Sequence, residues 1–430
     1  MYLVKKIKTH PLITLLLNLR GNPRACVYTE PLWGLPFQLY MPFASLYMFS
    51  LGLNDIEIGL LLSVSMAFQI GSAFFSGIVT DKFGRRTTLF IADLLTWSFP
   101  CLIWALSQNF WWFLAAAMLN GLSRLSDISW VCFISEDAHK DDLTGIFTLV
   151  HICGLLAVFF APISGLLVAN YSIVPVVRGI YIFAFISMGA KAILLFLFST
   201  ETAQGKVRMA ETKDMKIFTM ILESGGVFKT MLRSPVILIT LGIMVAINIT
   251  FNVAGTFFAL LATNEMALPK QYLAYFPILR SGIMLALLIG AQRIFGRLGF
   301  RASMISGLIV YITAQLCLII GAANPAQGLM FATGYVLFEA IAFGTVMPQR
   351  DALVARCSPA KDRARILAVM NTIMISGTMP FGYFAGLLSD MDRRLPFAMN
   401  IILFTLVIAI IGLARKGFEK GEEHEQTNHL

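Results

Sequence analysis

Seven ionisable side chains stand inside long apolar runs of this sequence: the acids Glu30, Asp93, Asp127 and Glu339, and the bases Arg124, Lys191 and Arg280. A charge at the centre of a membrane helix costs about 2.5–3.5 kcal/mol on insertion scales, so each needs a partner or a task. Glu339 is the most telling. It lies between Tyr335-Val336-Leu337-Phe338 and Ala340-Ile341-Ala342-Phe343, with no other charge in its run. A desolvated carboxyl in that position suits proton binding and release near neutral pH. The competing reading is a static ion pair with Arg280. Arg124 and Asp127, three apart, share a helix face within pairing reach, and a structural pair and a role in proton coupling both stay open. Asp93 and Glu30 fall nearer the ends of their runs, where a charge can be solvated or can take part in coupling. Lys191 is expected to snorkel, and His151 to be a hydrogen-bonded packing residue.

The runs themselves set the frame. Of 430 residues, 57% are hydrophobic and 13% charged, with a mean hydropathy of +0.76. Soluble domains carry roughly 25% charged residues, so a soluble enzyme, a disordered chain and a coiled coil are excluded. The net charge of +9 does not point to nucleic acid, because the basic residues flank apolar runs and form no single patch. Cys26, Cys101, Cys132, Cys153, Cys317 and Cys357 are scattered without a CxxC spacing. They read as buried small hydrophobes and give no metal site. No Walker A sequence, zinc-ligand cluster or nucleophile elbow occurs, so neither enzymatic activity nor a cofactor is expected.

A membrane helix needs about 20 apolar residues. Twelve segments qualify, at about 26–51, 57–80, 86–107, 110–134, 144–169, 174–199, 235–263, 271–292, 303–323, 326–348, 365–389 and 395–415; they are called spans 1 to 12. The architecture expected is all-α and integral to the membrane. Placing the N-terminus in the cytoplasm puts 26 of the 33 Lys and Arg residues in cytoplasmic segments, four outside and three within spans. That bias fixes both termini inside. The start of the chain, Lys5-Lys6 and then Leu12–Leu17, lacks a small-residue cleavage site and reads as an interfacial helix. The chain then divides into an N-terminal segment (1–25), a six-helix half (26–199), a linker (200–233), a second six-helix half (234–415) and a tail (416–430). Within the linker, Met215, Ile217, Phe218, Met220, Ile221 and Leu222 outline an amphipathic helix. Echoes such as Lys140-Asp141 with Lys361-Asp362 suggest duplicated halves, with a substrate site between them near the midplane.

The segment Gly77-Ile78-Val79-Thr80-Asp81-Lys82-Phe83-Gly84-Arg85-Arg86 follows span 2. It resembles the motif between helices 2 and 3 of the major facilitator superfamily, G-x-x-x-D-[RK]-x-G-[RK]-[RK]. The resemblance implies that Asp81 approaches the start of span 11, that Arg85 or Arg86 meets Glu136 or Asp137, and that these contacts gate the cytoplasmic side. The second-half copy, Arg297–Arg301, has Gly296 where the acid belongs. In span 5, Ala161-Pro162-Ile163-Ser164-Gly165 is similar to the G-P-x-x-G core of proton-coupled antiporters of this superfamily, and Gly377, Pro380, Gly382 and Gly386 form a related pattern in span 11. The other reading of both is close helix packing.

This resemblance implies a major facilitator fold working as a monomer by alternating access, and it is closest to the proton-coupled drug antiporters. The expected function is export of amphipathic small molecules in exchange for protons across a bacterial-type inner membrane. Partners are then a small-molecule substrate, protons and the lipid bilayer, with no nucleic acid. Two alternatives stay open: a proton symporter importing a sugar, peptide or organic acid, and a lipid flippase. Trp33, Gln38, Tyr40, Asn248 and Asn252 are the residues expected to line a cavity, while Trp111 and Trp112 fit an interfacial belt.

Overall fold

A computed structural model describes residues 11–213, 235–290, 300–356 and 363–413. Among them the chain is helical, with no strand. In lipid, every backbone N–H and C=O must be satisfied within its own segment, and a helix does this. Among the described residues, eight helices are individually long and apolar enough to cross a membrane: Asp55–Phe83, Arg85–Leu106, Gly145–Asn170, Ile173–Leu197, Thr240–Asn264, Arg301–Ala323, Pro325–Met347 and Leu395–Gly412. They match spans 2, 3, 5, 6, 7, 9, 10 and 12. Large apolar side chains point outward from them, including Ile186, Leu166, Phe251 and Leu406. This is a multi-pass membrane protein.

Of the other four spans, 1 and 4 are broken for legible reasons, while 8 and 11 are single helices. Span 1 starts earlier than expected and comes in pieces: α2 (Gly21–Thr29), α3 (Pro31–Tyr40), a 3-10 turn (Met41–Phe43) and α4 (Ala44–Ser50). Proline lacks an N–H and clashes with the carbonyl four residues back, so Pro31 and Pro42 open new pieces while Pro36 sits inside α3. Span 4 breaks between α8 (Phe110–Asn120) and α9 (Ser123–Ser135). At Gly121 a Cβ would stand 2.5 Å from that of Phe68 and 2.6 Å from the Ser65 carbonyl oxygen, so a glycine is required by close approach. Span 8 is described as α15 (Phe276–Gly290). Span 11 is one helix, α18 (Arg363–Met391), diluted by Asn371, Thr372, Ser376 and Thr378. The expected start of the chain is present as α1 (Pro11–Asn18), whose Leu12, Leu15 and Leu16 pack on buried Cys26, Phe133 and Ile146.

The remaining helices are α5 (Asp55–Phe83), α6 (Arg85–Asp93), α7 (Phe99–Leu106), α10 (Leu143–Val158), α11 (Ala161–Asn170), α12 (Ile173–Leu197), α13 (Ala203–Thr212), α14 (Pro235–Asn264), α16 (Phe300–Ala323), α17 (Gly328–Arg356) and α19 (Leu395–Leu413). Asn54 starts α5 with a reciprocal capping box to Glu57, at 2.8 and 2.9 Å. Between α6 and α7 the helix widens into a π turn, Leu94–Ser98. Pro100 follows it and cannot donate to Thr96, four residues back. Asn120 Nδ2 donates to that carbonyl instead, at 2.9 Å.

Contacts divide the chain into two units. The first comprises Met1–Glu57, Leu61–Ser224 and Lys270–Pro277, and the second Ile58–Leu60, Gly225–Pro269 and Ile278–Leu430. In the second unit, Met304, Leu308, Tyr311, Val346 and Phe404 form the buried core, with Tyr311 stacked on Phe404 at 5.0 Å. The amphipathic helix expected over Met215–Leu222, the second-half loop Arg297–Gly299 and the expected helix start at Ser358–Asp362 lie outside the described residues.

Candidate functional site: buried charge clusters and a basic loop

The motif loop folds as its residue types dictate. Gly84 adopts φ +84° and ψ 160°, a positive-φ region essentially reserved for glycine that costs an L side chain roughly 1–3 kcal/mol. A Cβ there would also meet the Glu201 carboxylate at 2.5 Å. Glu201 accepts from the backbone N–H groups of Arg85 (2.9 Å) and Arg86 (3.0 Å), placing a carboxylate at the N-terminus of α6 where the helix dipole favours it. Around Gly77 an added Cβ would find open space, so packing does not require that glycine.

Arg85 is buried and joins two acids: Asp81 Oδ1 at 2.9 Å and Glu136 Oε1 at 3.1 Å. Thr202 completes Glu136 by donating to it at 2.6 Å. Arg86 meets neither acid. Its guanidinium lies 3.9 Å from the centre of the Phe196 ring and donates to the Phe196 carbonyl at 2.6 Å. Asp137 accepts from Asn22 at 2.8 Å. The second oxygen of Asp81 takes Arg208 of α13 at 2.7 Å, a partner no motif announced. That hydrogen bond keeps the Arg208 guanidinium protonated beyond its ordinary range. Lys82 is half-buried beside this network.

Deeper in the same unit the charges gather. Lys191 does not snorkel. It is 6% exposed, with Nζ 3.1 Å from Glu30 Oε2 and 5.8 Å from the Trp33 ring centre. Asp93 is likewise buried, not solvated at an end. It accepts from Ser126 Oγ in a short hydrogen bond and lies within electrostatic reach of Lys191 and Glu30. The pairing of Lys191 with Glu30 is not evident in the sequence, because its distance from the helix end also allows snorkelling. Charge balance was the available signal, since spans 1, 3 and 4 offer three acids and only Arg124 to meet them. Arg124 and Asp127 pair at 3.3 Å with half-exposed side chains. His151 is exposed, not packed.

In the second unit, Arg280 Nη2 lies 2.9 Å from Glu339 Oε1. The guanidinium is flanked by Phe251 and Phe343, at 5.6 and 5.1 Å from their ring centres. Glu339 is 8% exposed. The expected cavity residues take varied positions. Tyr40 is buried and packs on Tyr181 at 4.9 Å, which makes it a core residue of the first unit and not a cavity wall. Trp33 is half-buried, stacked on Phe37 at 4.9 Å and edge-on to Trp97 at 5.1 Å. Gln38 is half-buried. Asn248 donates to Thr378 at 3.0 Å, and Asn252 to the Asn248 carbonyl at 2.8 Å.

The small-residue patterns serve close approach. A Cβ on Gly165 would lie 2.8 Å from the Gln271 carbonyl oxygen and 2.9 Å from Ala274 Cβ, while Ala161 beside Pro162 is fully buried. On α18, Gly382 and Gly386 face Gly59, where a Cβ would stand 2.4 Å from the Gly382 carbonyl oxygen. Gly377 packs at 3.1 Å, on the same measure, from Val245.

The fold resembles that of solved transporters: the nucleoside transporter NupG (TM-score 0.70, 12% identity, 92% of this chain and 100% of that one) and a bacterial homologue of the iron transporter ferroportin in an inward-facing state (TM-score 0.69, 14% identity, 90% and 97%). In sequence, the chain is 26% identical over 128 residues to the uncharacterized MFS-type transporter YqjV of Bacillus subtilis (strain 168), covering 29% of this chain and 31% of the relative. It is 28% identical over 151 residues to the multidrug resistance protein MdtG of Yersinia enterocolitica serotype O:8 / biotype 1B, covering 34% and 36%. The matches thus span about a third of each curated relative. Residues 33–379 match the family model of the Major Facilitator Superfamily. With that match covering most of the chain, on an all-helical membrane fold shared with solved transporters, the protein belongs to the Major Facilitator Superfamily.

Proposed function

We propose that this transporter exports amphipathic small molecules in exchange for protons, by alternating access of its 26–199 and 234–415 halves. It works as a monomer in a bacterial-type inner membrane, with both termini and the basic loops in the cytoplasm. The observation that carries the reading is the Arg280–Glu339 pair, the one ion pair placed in an otherwise uncharged stretch of span 10. A proton on Glu339 removes the counter-ion of Arg280, and the pair then has two states of different charge. A partial match to a multidrug resistance protein supports drugs as the substrate class, and positive-inside loops support the orientation.

Import of a polar nutrient by proton symport is the second reading. Half-buried Gln38 and the Asn248–Thr378 and Asn252–Asn248 bonds favour it. Energised inside-out vesicles loaded with a pH-sensitive dye separate the two. Lipophilic drugs that dissipate the pH gradient, and cease to do so with Glu339→Gln, support export. No response to drugs, with proton movement accompanying a sugar, peptide or organic acid in right-side-out vesicles, overturns it.

A further inference from the structure

The first unit contains a charge cluster whose sum is not zero. Glu30 and Lys191 neutralise one another at 3.1 Å. Asp93 shares the same ammonium and has as its own donor only a neutral hydroxyl, that of Ser126. The other titratable groups facing it are the Cys26 thiol from span 1 and Asp127 from span 4, neither of which brings a positive charge, while the Arg86 guanidinium, which lines the same small cavity, is engaged by the Phe196 carbonyl. An uncompensated charge in a desolvated interior is expensive. Two carboxylates around one ammonium become neutral when one of them takes a proton.

Asp93 also has a way out. A cavity of about 10 Å³, room for a single water, runs beside it. Its lining includes Asp93, Phe90, Phe133, Phe196, Ser199 and Arg86. Asp93 and Ser199 supply polar partners for a water, and Arg86 stands in the motif loop, pinned to the Phe196 ring and carbonyl. Asp93 and Arg86 of the basic loop thus line one and the same cavity.

We propose that Asp93 is a second proton-binding site, set by Lys191 and Ser126 and opening to the basic end of the first unit through the cavity beneath Arg86. In the step, the Asp93 carboxylic acid passes its proton to the cavity water, leaving a carboxylate beside Lys191 and a hydronium that exits past Arg86. The reverse step loads it. The site is additional to Glu339, and its existence does not depend on the export reading, which supplies only its use.

The test is an infrared pH titration of the purified, lipid-reconstituted protein, following the C=O stretch of protonated carboxyl groups, in a Glu339→Gln background so that Glu339 contributes nothing. One carboxyl band titrates, is lost with Asp93→Asn and persists with Asp127→Asn. Ser126→Ala moves its midpoint. Arg86→Ala speeds its hydrogen–deuterium exchange by about tenfold or more, the effect of removing a charge that guards a low-dielectric cleft. A band that survives Asp93→Asn overturns the site. If Asp93→Asn does not fold, an unmoved midpoint in Ser126→Ala overturns it, and unchanged exchange in Arg86→Ala overturns the path. Because nothing is transported in this measurement, a failure of the export reading leaves its outcome intact.

Discussion

Arg208 Nη2 lies 2.7 Å from Asp81 Oδ2, while Arg85 holds the other oxygen of the same carboxylate at 2.9 Å. The single acid of the motif loop is thus shared between α6 and α13. Arg85 is buried and Arg208 is 37% exposed by side chain, so the two bonds differ in worth. Arg208→Ala costs at most about 1 kcal/mol, as exposed pairs do, yet it frees α13. Limited proteolysis should cut the linker faster in this variant with the melting temperature almost unchanged.

Arg85→Ala is the severe counterpart. It leaves Asp81 and Glu136 without their common cation, and breaking a buried pair costs about 3–5 kcal/mol. A clear fall in melting temperature is expected, larger than that of Arg208→Ala. Equal effects of the two would contradict the burial difference.

Lys191→Met strands Glu30 and should destabilise by about 3–5 kcal/mol. Glu30→Gln together with Lys191→Met should recover part of that loss, with a coupling of about 0.5–3 kcal/mol for a pair in contact. Additive losses in a double-mutant cycle would show that the pair is not energetically joined.

Gly84→Ala places a Cβ in a left-handed backbone and against Glu201. The backbone alone costs about 1–3 kcal/mol, and displacement of Glu201 uncaps α6 besides. Pairing it with Glu201→Ala should relieve only part of the steric cost, because the Met209 sulfur would still stand 2.7 Å from the new Cβ, and none of the backbone cost. Gly77→Ala, where a Cβ meets open space, should melt with the wild type.

At the turn before α19, hydrogen bonds from Arg394 hold the Asp392 carboxyl below the usual carboxylate range. A carboxyl lowered on folding adds stability above its unfolded pKa, and that stability is lost as pH falls through the folded value. The pair is partly exposed, so the effect is small. Asp392→Asn should slightly lower stability at neutral pH and melt with the wild type once pH falls well below about 4, the ordinary Asp range.

Hydropathy and basic-residue placement made the helical membrane class and most span positions legible, because crossing lipid demands long apolar runs and little else. The breaks were less legible. Pro31 and Pro42 announced theirs, but Gly121 marks a break only once Phe68 and Ser65 are known to press on it. Among the charges, Arg280–Glu339 and Arg124–Asp127 followed from isolation and from spacing. Lys191 with Glu30 joins residues 161 apart in sequence, and Asp81 with Arg208 joins residues 127 apart. Local spacing is silent at that range. A tyrosine in mid-span such as Tyr40 suits either a lumen or an aromatic core, and only its neighbours Tyr181 and Trp104 place it in the core.

The π turn at Leu94–Ser98 makes the carboxyl-bearing wall of span 3 sensitive to a single codon. Such a turn accommodates one residue more than an α-helix would over the same length, and one residue is about 100° of helical rotation. An in-frame deletion within 94–98 would restore a regular helix, and with Trp104 fixed in its aromatic cluster it would swing Asp93 away from Ser126 and Lys191. The length of this segment, more than the identity of its side chains, is what a genetic drift experiment should find it cannot change.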